Sequence, residues 1–174
     1  MKPEIVLGGG CFWCTEAIFK KIKGVKKVIP GYAGGWVKNP NYKLVATGST
    51  GHAEVIKVKF DDKKISLKEI LEVFFAAHDP TTKNRQGEDV GTQYRSIILF
   101  NDDNQKDVIK KYIKAIKSDF KRPIVTEIKK FEKFYKAESH HKDYYNKNKE
   151  AAYCKLIIAP KMKKIKDKFK DKWQ

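Results

Sequence analysis

Glu4-Ile5-Val6-Leu7-Gly8-Gly9-Gly10-Cys11-Phe12-Trp13 decides how this chain begins to fold. Its apolar run reads as a buried strand entering a tight glycine loop. From Phe12 onward Trp13, Ala17, Ile18 and Ile22 fall in helical register, and Gly24 stops the helix. Val25 to Gly31 is a second strand candidate. Residues 33–51 then lack periodicity and carry turn formers (Gly34-Gly35, Asn39-Pro40-Asn41, Gly48-Ser49-Thr50-Gly51). A loop of that length in a small domain is usually functional or mobile.

Ala53 to Phe60 alternates, with Glu54, Ile56, Val58 and Phe60 on one face and Val55, Lys57 and Lys59 on the other. Ser66 and Glu69 make a capping box ahead of a helical stripe of Leu67, Ile70, Leu71, Phe74 and Phe75. His78-Asp79-Pro80 ends that helix, a polar loop runs to Gln93, and Tyr94 to Phe100 is the next strand. Strand-helix-strand twice over, split by a long loop, is the order of a split βαβ plait. The expected fold class is therefore α+β: a two-layer sandwich with a ferredoxin-like core and a wrapping C-terminal extension. Further on, Asp102 or Asp103 caps a helix with Val108, Tyr112 and Ile116 inward. Ile124 to Lys130 is a fifth strand, and Ala137 to Lys149 a polar helix or irregular segment. From Lys161, Met162, Ile165, Phe169 and Trp173 recur at helical spacing among seven lysines, a basic amphipathic helix. Docking of its stripe onto the domain is favoured over a membrane-surface role.

The 174 residues suit one domain, and 41% hydrophobic with 12% aromatic residues is too apolar for disorder. No run of eighteen apolar residues exists, so no transmembrane anchor is expected. Only three apolar residues precede the glycines, far short of a secretory segment, so a cytoplasmic location is expected. The net charge of +17 invites a nucleic-acid reading, yet only Arg85, Arg95 and Arg122 are arginine. Lysine is a hydrated point charge without arginine's planar fork, so a solvated lysine coat is the better account. Non-specific attraction to polyanions at low salt remains expected.

Cys11, Cys14 and Cys154 are too few for a disulfide framework. One CxxC, one distant cysteine and scattered histidines do not give a structural zinc site either. Cys11 opens a helix after a glycine loop, where unpaired N–H groups and the helix dipole favour thiolate. A lowered pKa and a nucleophilic sulfur are the expectation, and a buried inert cysteine is the bland alternative. Glu54 lies on the apolar face of its strand. A carboxyl desolvated there gains a raised pKa and can act as a general acid near neutral pH. Alternatively it leans out to solvent beside His52. Residues 84–96 form a loop dense in hydrogen-bonding groups, and Tyr42 by itself is only a tyrosine.

Gly10-Cys11-Phe12-Trp13, Gly31-Tyr32-Ala33-Gly34-Gly35, His52-Ala53-Glu54-Val55, His78-Asp79-Pro80-Thr81 and Gly91-Thr92-Gln93-Tyr94-Arg95-Ser96 together resemble peptide methionine sulfoxide reductase A. The order and spacing agree from about Glu4 to Cys154. The resemblance implies thiol-dependent reduction of methionine S-sulfoxide, free or in proteins. It implies Cys11 as nucleophile, Phe12 and Trp13 as the holders of the substrate methyl, and Glu54 as the acid that protonates the sulfoxide oxygen. Tyr42 and Tyr94 match the tyrosines that hydrogen-bond that oxygen, and Asp89 matches a supporting carboxylate. Cys11 would be left as sulfenic acid, resolved by a second cysteine and recycled by thioredoxin without a cofactor. Residues 1–174 then form a single catalytic domain, with 131–174 as its C-terminal arm and a monomer as the default.

The second thiol is where the chain departs from the family. Many relatives carry glycine at the position of Cys14, and resolve through a cysteine on an arm similar to residues 137–154. In that arm His141 matches, Lys142 stands where glutamine is usual, and Ala151-Ala152 replaces a glycine. Cys154 is favoured as first resolving thiol, on a segment expected to be mobile; Cys14 is a direct resolver, a relay or a small apolar helix residue. Two rival readings are a CxxC thiol–disulfide oxidoreductase and a basic nucleic-acid-binding module. The first predicts a thioredoxin-like element order with a proline loop opposite the motif. The second predicts arginine and aromatics interleaved on a strand face.

Overall fold

The computed structural model describes residues 3–174; the first two residues of the expected 1–174 domain lie outside the described residues. In chain order the larger elements are β1 (Glu4–Gly8), α1 (Phe12–Phe19), β2 (Val25–Ala33), α2 (Tyr42–Ala46), β3 (Ala53–Phe60) and α3 (Leu67–Ala77). A two-strand hairpin, β4 (Arg85–Gln86) and β5 (Asp89–Val90), follows. Then come β6 (Ile97–Phe100), α4 (Asp103–Ile116), β7 (Glu127–Lys130), β8 (Phe134–Lys136), α5 (Tyr144–Lys147) and α6 (Ala159–Lys168).

Six strands form a mixed sheet in the order β7-β6-β1-β3-β2-β8. Pairing is antiparallel except between β6 and β7. Only residues 131–133 join β7 to β8, a link that reaches about 14 Å at most, whereas the edges of a flat six-stranded sheet lie about 24 Å apart. The sheet is therefore curled. Its helix-bearing face buries Ile5, Leu7, Ile56, Val58 and Ile98 against Phe19, Ile22, Ile70 and Phe74. The other face buries Val6, Ala33, Val55, Ile97 and Leu99, closed over by Phe131 and Phe134. One end of this sheet gathers the end of β1, the end of β2, and the starts of β3 and β6.

The capping box holds: the Ser66 hydroxyl accepts from the Glu69 N–H at 3.2 Å, and the Glu69 carboxylate accepts from the Ser66 N–H at 2.8 Å. Elsewhere the elements differ from the sequence expectation. The 33–51 loop contains α2, capped by Asn41, whose side chain accepts from the Leu44 N–H at 2.8 Å. The polar loop before β6 contains the β4–β5 hairpin. β6 starts at Ile97 rather than Tyr94, because residues 92–94 form a 3-10 turn held by Arg95, which donates to the carbonyls of Thr92 and Gly51 and to Glu127. β7 starts at Glu127 rather than Ile124, since the Val125 N–H is drawn to the Pro80 carbonyl. β8 was not foreseen, and its three residues pair with the end of β2.

The basic tail begins earlier than expected, with a π-type turn over Cys154–Ile158 that runs into α6. Its stripe is occupied: Ile158, Ile165 and Phe169 are buried against the body of the protein. The Lys23 N–H donates to the Lys172 carbonyl at 2.7 Å, and the Gln174 N–H to Lys21 at 2.8 Å, so the last residues are tied down too. Among the described residues no helix is long and apolar enough to cross a membrane.

His78, buried at the end of α3, ties helix to sheet. Its Nδ1 lies 2.6 Å from the Phe74 carbonyl and its Nε2 2.8 Å from the Ser96 hydroxyl, an arrangement satisfied by the neutral ring donating from Nδ1. Burial lowers its pKa to about 4. An unfolded histidine titrates near 6.5, so between those values the unfolded chain binds the extra proton. The stabilisation is complete above about pH 6.5 and is lost as pH falls toward 4, amounting to about 2 kcal/mol between pH 7 and 5. Urea midpoints at the two pH values should show this loss in the wild type and a smaller one in His78→Gln. Equal pH sensitivity in both would refute it.

Candidate active site

Cys11 occupies the N-cap of α1 in extended backbone geometry, its sulfur beside the Trp13 N–H of the first turn. The glycine before it is forced: Gly10 has φ +95°, and a Cβ there would stand 2.7 Å from Gln86 on the β4 strand. Gln86 is itself fixed, exchanging hydrogen bonds of 3.0 Å with the backbone of Asp79. Strand, glycine turn and hairpin together aim the thiol into a partly open site.

Glu54 is the second residue of β3 and is 2% exposed, so it does not lean out to solvent. Its Oε1 accepts the Phe12 N–H at 3.2 Å, placing the carboxyl at the same helix start that Cys11 caps. Burial pushes its pKa to about 8, with the nearby charge of Asp89 adding to the rise and the Phe12 hydrogen bond opposing it. The carboxyl is therefore mostly protonated at neutral pH. The thiol differs from expectation. Burial first, then the charges of Glu54 and Cys14, raise the Cys11 pKa well above the ordinary thiol value, outweighing the Trp13 N–H hydrogen bond that favours thiolate. The helix start alone does not ionise it, because desolvation penalises the anion more than a few N–H groups stabilise it.

Tyr42 on α2 and Tyr94 ahead of β6 complete the group. Both phenols are pushed above their ordinary value by burial and by Glu54, with Asp89 and Cys11 adding to the effect, so both stay O–H donors. The structure thus brings Cys11, Tyr42, Glu54, Asp89 and Tyr94 together from five separate stretches. Phe12 is wholly buried, against Tyr32 and His141. Trp13 is half-buried and stacks on Tyr144 at 3.6 Å.

The arm contributes more than the sequence suggested. Its Glu138 carboxylate accepts from the Tyr32 hydroxyl and the Tyr42 N–H, both at 2.9 Å. Glu16, buried in α1, accepts from the Asp143 N–H at 3.0 Å and clamps the arm's turn, where Asp143 sits at φ +55°. Between these anchors His141 is 2% exposed, and its Nδ1 accepts the Trp13 indole N–H at 3.0 Å. The ring proton therefore belongs on Nε2, which is buried with no partner beside the rings of Phe12 and Tyr42. Buried donors are rarely left so. Tyr153 donates to Asp89 at 2.8 Å and lies within hydrogen-bond reach of both Cys11 and Cys14. Nothing in the spacing of residues 138–153 marks these contacts; they follow from how the arm folds back over α1.

Cys11 and Cys14 line one cavity of about 570 Å³ with Asp89, Tyr153, Leu156 and Lys161. Cys154 is not on a free segment: it is fully buried in an apolar cluster with Cys14, Ala17 and Ile158.

Residues 3–173 match the family model described as peptide methionine sulfoxide reductase. A curated relative, peptide methionine sulfoxide reductase MsrA of Saccharolobus solfataricus, is 55% identical over 166 residues, covering 95% of this chain and 94% of its own. Among solved structures, reduced Mxr1 of Saccharomyces cerevisiae superposes with a TM-score of 0.83 at 36% identity, covering 87% of this chain and 88% of that one. The same yeast protein solved in complex with Trx2 gives a TM-score of 0.59 at 26% identity, over 81% and 83% of the two chains.

Proposed function

The chain belongs to the peptide methionine sulfoxide reductase family and is such a reductase; from that premise we propose how its residues carry the reaction. The observation that carries the reading is the pairing of Cys11 with a protonated, buried Glu54 at one helix start. The Cys11 thiolate attacks the sulfoxide sulfur. The oxygen leaves only if protonated, and Glu54 gives that proton while the Tyr42 and Tyr94 hydroxyls stabilise the shifting charge. Phe12 and Trp13 hold the methyl, and a cradle of fixed shape selects the S epimer. Asp89 orients Tyr153 beside the sulfur. The released hydroxide then attacks the Cys11 sulfur as the bond between the two sulfurs breaks, so methionine departs with that bond's electron pair and Cys11 remains as sulfenic acid.

A second thiol of the chain, Cys14 or Cys154, condenses with it. A thioredoxin-type dithiol reduces the disulfide, a role supported by the yeast relative's complex with Trx2. We read the whole chain as one catalytic unit, monomeric and cytoplasmic, in which 131–174 is the arm. Pairing of β8 with β2 and burial of Ile165 in the common core support that unity. The four central strands, β6-β1-β3-β2, with α1 and α3 on one face support a ferredoxin-like core.

Dithiothreitol-driven reduction of a peptide carrying each sulfoxide epimer separately tests this function. Turnover of the S epimer alone is expected. Turnover of the R epimer would overturn the stereochemistry, and no turnover by folded protein would bring disulfide exchange at Cys11 and Cys14 forward instead.

A further inference from the structure

We propose that a lysine-walled band along the outer side of the arm docks the sugar-phosphate backbone of a single-stranded nucleic acid without reading its sequence. The net charge of +17 is not spread as an even coat, and its distribution carries the inference.

Two cavities meet at Gln174, which lines both. The first, of about 520 Å³, lies between the start of β2, the C-terminal end of α1 and residues 136–142. Lys20, Lys26, Lys27, Lys136 and Lys142 wall it over a floor of Val28, Pro30 and Ala137. The second, of about 660 Å³, lies between α5 and α6 and is walled by Lys21, Lys149, Lys163 and Lys166. These nine lysines meet one lining carboxylate, Glu16, which is buried with both oxygens accepting the Asp143 N–H. Just outside, Asp143 pairs with Lys20 at 2.7 Å and Asp61 approaches Lys26 at 3.9 Å. Lys27, Lys136, Lys142, Lys163 and Lys166 are exposed, and among the described residues none of them has an ion-pair partner. Elsewhere the balance differs. The cavity between α3 and α4 sets Glu72, Asp79 and Asp119 among its cations, and the thiol cavity sets Glu88 and Asp89 against Lys161.

Like charges crowded without counter-charges repel, and a chain of phosphates relieves that repulsion while releasing its own counterions. Lysine suits the task better than arginine, because a point charge follows a backbone and asks no fixed geometry of base edges. The aromatic pair in the second cavity favours nucleic acid over an acidic polypeptide. Tyr145 and Trp173 are half-buried among its lysines. A charged groove with aromatic faces is how single strands are held whatever their sequence.

The band is compatible with the reductase site because the arm is two-sided here. Glu138 and His141 turn toward Tyr32, Tyr42 and Trp13, whereas Ala137, Ser139 and Lys142 line the band. No residue lines both the band and the thiol cavity, so a docked strand leaves Cys11 open.

The test titrates a fluorescently labelled oligothymidylate with the full chain and reads anisotropy across a series of salt concentrations. The logarithm of the binding constant should fall linearly with that of the salt, by about 0.7 per phosphate neutralised. Combining Lys27→Gln, Lys136→Gln, Lys142→Gln, Lys163→Gln and Lys166→Gln should flatten the slope by about 3 and weaken binding more than about tenfold. The same charge removed elsewhere, by Lys68→Gln, Lys110→Gln, Lys111→Gln, Lys114→Gln and Lys117→Gln on α3 and along α4 to its C-cap, should change the slope by less than about 1. All ten side chains are exposed, and matching thermal midpoints verify that both variants fold. Mixed-sequence DNA and RNA strands should bind within about threefold of oligothymidylate, and an abasic strand of equal length at least about fivefold more weakly, the worth of one stacked base. No binding by the wild type, or equal losses in the two variants, would overturn the band. Polyglutamate or the abasic strand binding as tightly as oligothymidylate would overturn its assignment to nucleic acid.

Discussion

Cys11→Ser will form no methionine from the S-sulfoxide while remaining folded. The loss should exceed about 10⁴-fold, the scale at which removing a nucleophile acts when the rest of its site is intact. Serine keeps the shape but not the chemistry, since its hydroxyl does not ionise near neutral pH. The fold should not suffer. Cys11 stands at an N-cap, where sulfur is a weak acceptor and serine is among the best residues, so the helix start should gain up to about 1 kcal/mol. Activity and stability therefore move in opposite directions, which a merely structural cysteine would not produce. Measurable turnover in this variant, with Cys14 and Cys154 present, would place the nucleophile elsewhere.

Local signals were legible where one segment determines its own conformation. The glycine turn before Cys11, the Ser66–Glu69 capping box and the alternation of β3 all stand as their residues imply, because each depends on neighbours within a few positions. Glu54 was visible as an anomaly, a carboxyl in register with Ile56, Val58 and Phe60. Whether it leans outward depended on the Phe12 N–H, 42 residues away, which no periodicity reports. β8 has the same character: three residues become a strand only because β2 offers an open edge. The Cys11 pKa departs from the local expectation for a related reason. The helix N-terminus is local and readable, whereas the burial that outweighs it is built by segments far away in sequence, among them the hairpin at residues 86–89 and the arm at Tyr153. Family resemblance located Tyr42, Asp89 and Tyr94. Composition and spacing alone did not.

Glu54→Gln carries the second large effect, a fall in the first-turnover rate of about 10²–10⁴-fold. Glutamine still accepts the Phe12 N–H, so the helix start keeps its partner, but no proton is available for the departing oxygen. The pH profile separates this from a loss of packing. Reaction needs a thiolate and a carboxylic acid, so the Cys11–Glu54 pair must carry one proton. With Glu54 titrating at about 8 and Cys11 well above the ordinary thiol value, the resting pair holds two protons at pH 7. The rate should therefore rise with pH, close to tenfold per unit, until an inflection near 8 that belongs to the pair. Above it the singly protonated pair dominates until the second proton leaves at higher pH, where the rate falls. In Glu54→Gln the inflection near 8 should vanish, leaving a slow rate that follows ionisation of the buried thiol alone. Stopped-flow measurement of methionine release from pH 6 to 10 reads both profiles. An inflection that persists in Glu54→Gln would assign it to another group and remove Glu54 from the proton transfer.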